Sequence, residues 1–197
     1  RRLELTVDPR ALIPRPETEL LVEVALESLV AGARVLDLCT GSGAVALALK
    51  DERPDLHLSG SDLSEPALAL ARANAERLGL DVCWLHADLL DGIPDEFDAV
   101  IANPPYVADR ERATLAPEIL RHEPPAALFA GEDGLVVIDE FLRQLAGREQ
   151  VETVALEVGA GQAANVAGLV GQAGFAEVEC KRDLAGIDRV VIGVRRR

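Results

Sequence analysis

The sequence predicts an α/β fold in which a doubly wound, mostly parallel sheet of seven strands ends in an antiparallel hairpin. Short apolar stretches alternate with helix-length amphipathic stretches, a glycine-rich turn follows the first apolar stretch, and the last two apolar stretches lie close together in sequence. Alternating strands and helices imply parallel strands covered on both faces. A chain of 197 residues is long enough for one such domain.

Each predicted element has a local signal in the sequence. Ser64 caps a helix that has Pro66 in its first turn and Gly79 at its end. The predicted strands are residues 34–38, 57–62, 81–86, 98–102, 153–158, 176–180 and 189–194. The other predicted helices are residues 44–50, 134–145 and 162–173, the last of them closed by Gly174.

Charge and composition narrow the class of function. Acidic residues outnumber basic residues by 34 to 20, which gives a net charge of −14. Proteins that bind nucleic acid as a substrate usually carry a basic stripe, and here the basic cluster at residues 195–197 is expected to be a solvated terminus. No apolar run reaches the roughly 18 residues that span a bilayer. These features speak against a direct nucleic acid substrate and against a membrane protein.

The cysteines indicate neither a disulfide framework nor a metal site. Cys39, Cys83 and Cys180 are odd in number and far apart, and they show no metal-ligand spacing with histidine. We therefore expect three reduced thiols in a cytoplasmic protein that binds no metal.

The first candidate binding segment is the loop after the first strand. It begins at Asp37 and continues through Cys39, Thr40, Gly41, Ser42 and Gly43. Glycines let the backbone approach a ligand, and the following helix offers free N–H groups. A pyrophosphate site would require G-x-G-x-x-G, which is absent, whereas Asp37 suits a cationic amino group. The loop therefore favours an amino-acid-bearing nucleoside such as S-adenosyl-L-methionine, with a plain tight turn as the alternative.

Two further aspartates follow the second and third strands. Asp62 can accept hydrogen bonds from both hydroxyls of a ribose, as acidic residues do in dinucleotide folds. Its alternative role is to favour the start of the next helix through the helix dipole. Asp88 can accept from an adenine amino group, or it can be a loop aspartate in water.

The third candidate segment is Asn103-Pro104-Pro105-Tyr106, after the fourth strand. Two successive prolines lack N–H donors and stiffen the backbone, which leaves the Pro104 carbonyl and the Asn103 amide available to a ligand. A planar nitrogen with two hydrogens, as in a carboxamide or an exocyclic amine, can donate to both acceptors while Tyr106 packs on its flat face. The alternative is a strand terminator with a packed tyrosine.

The chain resembles the HemK family, the release-factor glutamine N5-methyltransferases. The tetrapeptide is similar to that of methyltransferases acting on adenine N6 or glutamine N5, and four other segments of the HemK signature have counterparts here. These are Ile13-Pro14-Arg15-Pro16-Glu17-Thr18-Glu19, Arg121-His122-Glu123-Pro124, Gly131-Glu132-Asp133-Gly134 and Asp183-Leu184-Ala185-Gly186-Ile187-Asp188-Arg189. The resemblance runs from about residue 8 to residue 194.

The resemblance implies a Rossmann-like class I methyltransferase that transfers a methyl group from S-adenosyl-L-methionine to glutamine N5 of a peptide chain release factor, leaving S-adenosyl-L-homocysteine. It assigns catalysis to Asn103, Pro104, Pro105 and Tyr106. It assigns cofactor binding to Thr18, Asp37, Cys39, Thr40, Gly41, Ser42, Gly43, Asp62, Leu63, Asp88, Leu89 and Asn103. The alternatives are a ribosomal-protein glutamine methyltransferase, a DNA adenine N6-methyltransferase, and a binding module without turnover.

Two departures from the family pattern and one feature of the mechanism complete the prediction. Cys39 occupies a position that is usually glycine, so a side chain lies close to the expected cofactor. We expect the helical domain that usually precedes the family's methyltransferase domain to be absent and residues 1–197 to form the methyltransferase domain alone. His57, His86 and His122 do not cluster with the tetrapeptide, so catalysis is expected to rely on positioning and on polarisation of the N–H groups.

Overall fold

Residues 2–195 are described by the structure, which is a computed structural model. The helices are α1 (Thr18–Ser28), α2 (Ala44–Glu52), α3 (Glu65–Leu78), α4 (Pro117–His122), α5 (Val136–Leu145) and α6 (Ala163–Gln172). The strands are β1 (Arg34–Leu38), β2 (His57–Asp62), β3 (Cys83–His86), β4 (Ala99–Ala102), β5 (Thr153–Glu157), β6 (Glu177–Arg182) and β7 (Asp188–Val194). Short 3₁₀ helices cover Asp109–Thr114 and Pro125–Ala127.

The seven strands form one sheet in the order β3-β2-β1-β4-β5-β7-β6. Strands β1 to β5 are parallel, and β7 runs antiparallel between β5 and β6. The predicted doubly wound sheet with its C-terminal hairpin is therefore confirmed. The chain leaves β1 towards β2 and later returns to the other side of β1 with β4, so the strand order reverses between β1 and β4. Ligands bind at such a switch point, beyond the carboxyl ends of the strands.

Two apolar layers cover the sheet. One face packs against α1, α2 and α3, with Leu21, Leu47 and Leu49 fully buried. The other face packs against α5 and α6, where Phe141 and Val166 are fully buried. Strand β4 is buried at all four positions and β5 at all five, as expected for central strands covered on both faces.

Most predicted elements are present with shifted ends. Strand β3 begins two residues later than predicted and α5 begins at Val136, because Gly134 adopts a positive φ of 79°. Helices α1 and α4 had no predicted counterpart. Among the described residues, no helix is both long enough and apolar enough to cross a membrane.

The expectation of a solvated basic terminus is wrong for Arg195. Its guanidinium donates to the carbonyls of Val151 and Ala173 and lies 4.3 Å from the centroid of the Phe175 ring. It therefore satisfies carbonyl groups at the end of α6 and beside β5. Arg196 and Arg197 lie outside the described residues.

Candidate functional site

A cavity of about 490 Å³ lies at the carboxyl ends of β1, β2 and β4, where the strand order reverses. This volume is in the range of small-molecule and cofactor sites. Most of the residues predicted from the sequence line it: Thr18, Asp37, Cys39, Thr40, Gly41, Ser42, Asp62, Leu63, Asp88, Leu89, Asn103 and Pro105. The parallel sheet brings them together because it places the carboxyl ends of successive strands along one edge.

Asp37 lies at the floor of the cavity and is almost completely buried. One carboxylate oxygen accepts from the Thr40 hydroxyl and, at 3.0 Å, from the Ala46 N–H at the start of α2. Burial raises the pKa of Asp37 to about 7, against the opposing effect of these two hydrogen bonds. The other oxygen has no hydrogen-bond partner among the described residues, so it remains available to a positively charged ligand.

Asp62 accepts a hydrogen bond from the loop that follows β1. Its two oxygens accept from the Gly41 N–H and the Ser64 N–H, each at 2.9 Å. Burial raises its pKa, while these N–H groups act in the opposite direction. The bond to Ser64 matches the alternative helix-start role, and the carboxylate also lines the cavity, so the two roles are compatible.

Cys39 occupies a backbone conformation that suits glycine. Its φ is +59°, in the left-handed region that costs an L-residue roughly 1–2 kcal/mol. Burial and the neighbouring carboxylates of Asp62, Asp37 and Asp88 raise the pKa of the thiol, so it stays protonated. The preference for glycine at this position thus has a conformational reason in addition to the space that a ligand needs.

The turn after β3 forms the outer wall of the cavity. Leu89 has a φ of +50°, and the next N–H, that of Leu90, donates to Oε1 of Gln144 at 2.8 Å. Nε2 of Gln144 donates to Glu140, which lines the cavity from α5. Leu63 also lines the cavity, with 61% of its surface exposed. These apolar side chains, together with the exposed carboxylate of Asp88, suit a flat, partly polar ring.

Two segments that carry the family resemblance meet across the mouth of the cavity. The guanidinium of Arg15 pairs with the carboxylate of Glu123, which is buried. Their neighbours Pro14 and Pro124 both line the cavity. Breaking a buried ion pair is costly because it leaves an uncompensated charge, so this pair holds the two covering segments together.

The residues after β4, Asn103 to Tyr106, form a corner that we call the amide corner. Asn103 lines the cavity, and its Nδ2 donates to the Thr18 hydroxyl at 3.1 Å. Thr18 in turn donates to Oε2 of Glu157 at 2.7 Å, and the Tyr106 hydroxyl donates to Oε1 of Glu157 at 3.1 Å. No N–H among the described residues donates to the Pro104 carbonyl, so that oxygen is not used by the fold.

Three residues predicted for the site do not line the cavity. Gly43 begins α2 with a φ of +85°, and its Cα faces Trp84, Leu47 and Ala71. Pro104 is buried beneath the corner. Tyr106 turns its hydroxyl towards Glu157, and its carbonyl accepts from Nε2 of Gln162 at 3.0 Å. In this structure Tyr106 therefore contacts Glu157 and Gln162, and its stacking on a ligand stays a prediction.

Two functional candidates have no sequence-based prediction. Glu157 is 1% exposed at the end of β5, and an acidic residue that ends an apolar strand is the same signal that identified Asp37 and Asp62. Ser61 lines the cavity with a buried hydroxyl that has no hydrogen-bond partner among the described residues. Nothing in the sequence distinguishes Ser61, because serine is common in strands and loops.

The other titratable groups that line the cavity are Arg10, whose guanidinium is paired with Asp8, and Glu140. His57, His86 and His122 are exposed and are not part of its lining. Within residues 2–195, no three histidine, cysteine, aspartate or glutamate side chains converge to hold a metal ion. The cavity thus combines carboxylates, an asparagine amide and apolar walls, which suits binding and orientation of a cationic nucleoside beside a polar planar group.

Comparison with known proteins identifies related sequences. Residues 16–158 match the family model of the methyltransferase small domain. The chain is 43% identical over 192 residues to the release factor glutamine methyltransferase of Deinococcus radiodurans, covering 96% of this chain and 68% of that protein. It is 45% identical over 187 residues to the release factor glutamine methyltransferase of Bordetella pertussis, covering 92% of this chain and 69% of that protein.

Solved structures share the fold at lower identity. A chain of the E. cuniculi Mtq2–Trm112 complex, which is responsible for methylation of the eRF1 translation termination factor, has a TM-score of 0.69 and 21% identity, covering 95% of this chain and 99% of that chain. A methyltransferase from Pyrococcus furiosus has a TM-score of 0.73 and 16% identity, covering 98% and 89% of the two chains.

Proposed function

Because the chain belongs to the release factor glutamine methyltransferases, within the methyltransferase small domain family, we propose that it transfers a methyl group from S-adenosyl-L-methionine to the side-chain nitrogen of a glutamine in a peptide chain release factor. The observation that carries this proposal is the amide corner: Asn103 lines a cavity that also holds several carboxylates, and the carbonyl of the adjacent Pro104 accepts no hydrogen bond from the described residues. We propose that residues 1–197 act as one methyltransferase domain in the cytoplasm, where translation terminates.

The residues of the cavity fit the proposed cofactor. The free oxygen of Asp37 can pair with an ammonium group, and Asp62 can accept from ribose hydroxyls. Leu63 and Leu89 provide apolar walls for a base, and Asp88 can accept from an exocyclic amino group. The orphaned Ser61 hydroxyl is a buried polar group that a ligand would satisfy. When bound, S-adenosyl-L-methionine supplies an electrophilic methyl group on a sulfonium centre.

The protein's part in the transfer is to orient a weak nucleophile. The lone pair of an amide nitrogen is delocalised into its carbonyl, so free glutamine side chains react slowly. Under this proposal, the two N–H groups of a glutamine amide donate to Oδ1 of Asn103 and to the carbonyl of Pro104, neither of which has a hydrogen-bond partner among the described residues. Fixing the amide in one orientation removes rotational freedom, and effects of this kind contribute on the order of 7–11 kcal/mol.

The same two acceptors make the amide nitrogen more electron-rich by polarising its N–H bonds. The amide proton is lost to solvent after methylation has made the nitrogen acidic, since the described residues that line the cavity include no histidine to accept it.

The alternative substrates require different surfaces. A DNA adenine methyltransferase must flip a base and hold a polyanion, which the net charge of −14 disfavours. A ribosomal-protein glutamine would present the same amide as a release factor, so only a comparison of substrates separates these two. A binding module without turnover would retain the cavity and lack transfer.

Mass spectrometry provides the direct test. The protein is incubated with S-adenosyl-L-methionine and, in parallel, with a release factor, a ribosomal protein fraction or duplex DNA. A mass increase of one methyl group on a single glutamine of the release factor is expected. Methylation confined to ribosomal protein or to DNA would replace the proposed substrate, and cofactor binding without transfer to any of them would identify a binding module.

A further inference from the structure

A chain of hydrogen bonds joins three distant segments behind the amide corner. It consists of Asn103, Thr18, Glu157 and Tyr106, and we call it the Glu157 network. Thr18 begins α1, Glu157 ends β5, and the other two residues follow β4. Thr18 and Glu157 are 139 positions apart in sequence. The network therefore exists only when these three elements are packed together.

The direction of each bond in the network is fixed by donor and acceptor chemistry. A carboxylate has no proton to donate, so Glu157 accepts from both the Thr18 and the Tyr106 hydroxyls. The single hydroxyl proton of Thr18 is thereby committed to Glu157, so Thr18 can only accept from Asn103. The amide atom facing Thr18 must therefore be Nδ2. Oδ1 of Asn103 has no hydrogen-bond partner among the described residues and remains available at the cavity.

The positive charge of Arg189, in the last of the resemblance segments, favours the ionised form of Glu157. Burial is the main cause that raises the pKa of this carboxyl, and the negative charge of Glu17 adds to it; the two hydrogen bonds and the positive charge of Arg189 act in the opposite direction. Arg189 donates to the Val158 carbonyl at 3.2 Å and pairs with Asp183 at 3.3 Å. Its side chain is only 13% exposed, so its charge is poorly screened by solvent. The last of the resemblance segments, Asp183 to Arg189, thus has a role next to the site.

We infer that Glu157 is a positioning residue for amide methylation, acting through Thr18 to present Oδ1 rather than Nδ2 of Asn103 to the substrate. This inference rests on the proposed function, because it needs a substrate nitrogen that donates two hydrogen bonds. A flipped Asn103 amide would turn a donor towards the substrate N–H group, and two donors repel. Thr18 then serves the substrate side of the cavity, in place of the cofactor contact predicted for it.

A pair of substitutions at Thr18 separates this role from simple packing. Thr18→Val keeps the side-chain volume but removes the hydroxyl, and we expect kcat to fall about 10²-fold. Because the bond acts on the orientation of Asn103, the affinity for S-adenosyl-L-methionine measured by calorimetry should stay within about threefold. Thr18→Ser, which restores the hydroxyl, should recover most of the lost kcat.

Thr153→Val is the matched control, since Thr153 is a buried threonine at the opposite end of β5. A loss of kcat in this control equal to that in Thr18→Val would overturn the inference. So would a loss in Thr18→Val that appears only in cofactor affinity, or turnover by that variant within twofold of the unsubstituted protein.

Glu157→Gln tests the network from its other end without changing volume. The new amide NH₂ must face the hydroxyl of either Thr18 or Tyr106. This disturbs the pattern of donors and acceptors that fixes the orientation of the Asn103 amide. The losses of kcat caused by substitutions at Thr18 and Glu157 should therefore be non-additive. The kcat of the double variant should be at most about threefold lower than that of the slower single variant. Fully additive losses of kcat would contradict action through one network.

A measurement independent of turnover keeps the inference distinct from the proposed function. In a ¹⁵N-labelled sample, the side-chain NH₂ resonance of Asn103 is assigned by its loss in Asn103→Asp. We expect this resonance to shift and its hydrogen exchange to accelerate in Thr18→Val and not in Thr153→Val. If the unsubstituted protein fails to methylate a release factor, the proposed function fails. If it methylates and the Asn103 resonance is unchanged in Thr18→Val, only the Glu157 network is refuted.

Discussion

The two sides of the cavity are built in different ways. On the cofactor side, Asp37 and Asp62 accept hydrogen bonds from partners 2 to 21 positions away in sequence: three of these four partners are backbone N–H groups, and the fourth is the Thr40 hydroxyl of the same loop. On the amide side, the contacts join side chains 51, 85 and 139 positions apart. The cofactor loop is therefore encoded locally, whereas the amide corner depends on the packing of the whole domain.

This difference predicts that cofactor binding and methyl transfer can be lost separately. A backbone-lined loop tolerates changes elsewhere in the fold, because its shape is set by nearby residues. A corner held by long-range side-chain contacts is sensitive to changes in α1, β5 and the C-terminal hairpin. The five predictions that follow examine the two sides of the cavity, beginning with the largest expected effect.

Replacing Asn103 by alanine should remove turnover and spare cofactor binding. Loss of one of the two acceptors for the substrate amide is expected to lower kcat by a factor of about 10² to 10³. Calorimetry with S-adenosyl-L-methionine should give a Kd within a few-fold of the unsubstituted value. Asn165→Ala, at an exposed position of α6, is the control. Normal methylation by the Asn103 variant would remove this residue from the mechanism.

Replacing Asp62 by alanine should weaken cofactor binding and largely spare turnover. Charge-assisted hydrogen bonds to ribose hydroxyls contribute about 1.5–3 kcal/mol, so the Kd for the cofactor should rise roughly 10- to 100-fold while kcat at saturation changes much less. The exposed carboxylate of Asp51 at the end of α2 provides a control through Asp51→Ala. An unchanged cofactor Kd in the Asp62 variant would exclude Asp62 from the ribose site.

The pH dependence of cofactor affinity should report Asp37. Burial raises its pKa from 3.8 to about 7, so the carboxyl is largely protonated at pH 6 and ionised at pH 8. A positively charged ligand favours the ionised form, and the affinity should therefore increase about tenfold between these pH values. Asp37→Asn should flatten the profile. A Kd independent of pH in the unsubstituted protein would argue against Asp37 as the partner of a cationic group.

The same pKa shift predicts how stability depends on pH. The folded-state pKa of Asp37 lies above its ordinary value, so its contribution to the free energy of unfolding is fully present below about pH 4 and is lost as pH rises through about 7. Urea unfolding between pH 5 and pH 8 should accordingly show a smaller decline in Asp37→Asn than in the unsubstituted protein.

The smallest effect is expected from Cys39→Gly. Glycine removes the strain of a side chain at φ +59° but increases the entropy of the unfolded chain. These effects oppose each other, so the free energy of unfolding should change by less than about 1 kcal/mol. Cofactor affinity should improve a few-fold because the side chain beside the cavity is removed. Cys180→Gly, on the distant strand β6, serves as the control. A tenfold loss of affinity in Cys39→Gly would instead make Cys39 a binding contact.

Local sequence patterns accounted for most of the sheet and for the cofactor side of the site. The apolar runs of β1 and β4 are long enough to be recognised alone, and the polar residues that follow them fall at one edge because the strands are parallel. Helix α1 was not predicted because its buried residues, among them Leu21 and Val22, form only a short apolar stretch directly after a proline-rich segment. The ion pair between Arg15 and Glu123 has no local signal in the sequence, since the two residues are 108 positions apart.

The order of residues along the chain determined the alternation of strands and helices, the placement of carboxylates after β1 and β2, and the stiff proline corner after β4, because each depends on neighbours within a few positions. The tertiary structure alone decided which atom of Asn103 faces the cavity and that Tyr106 turns away from it. Both outcomes follow from Glu157, a buried carboxylate that can only accept hydrogen bonds and is supplied by a strand 51 or more positions away.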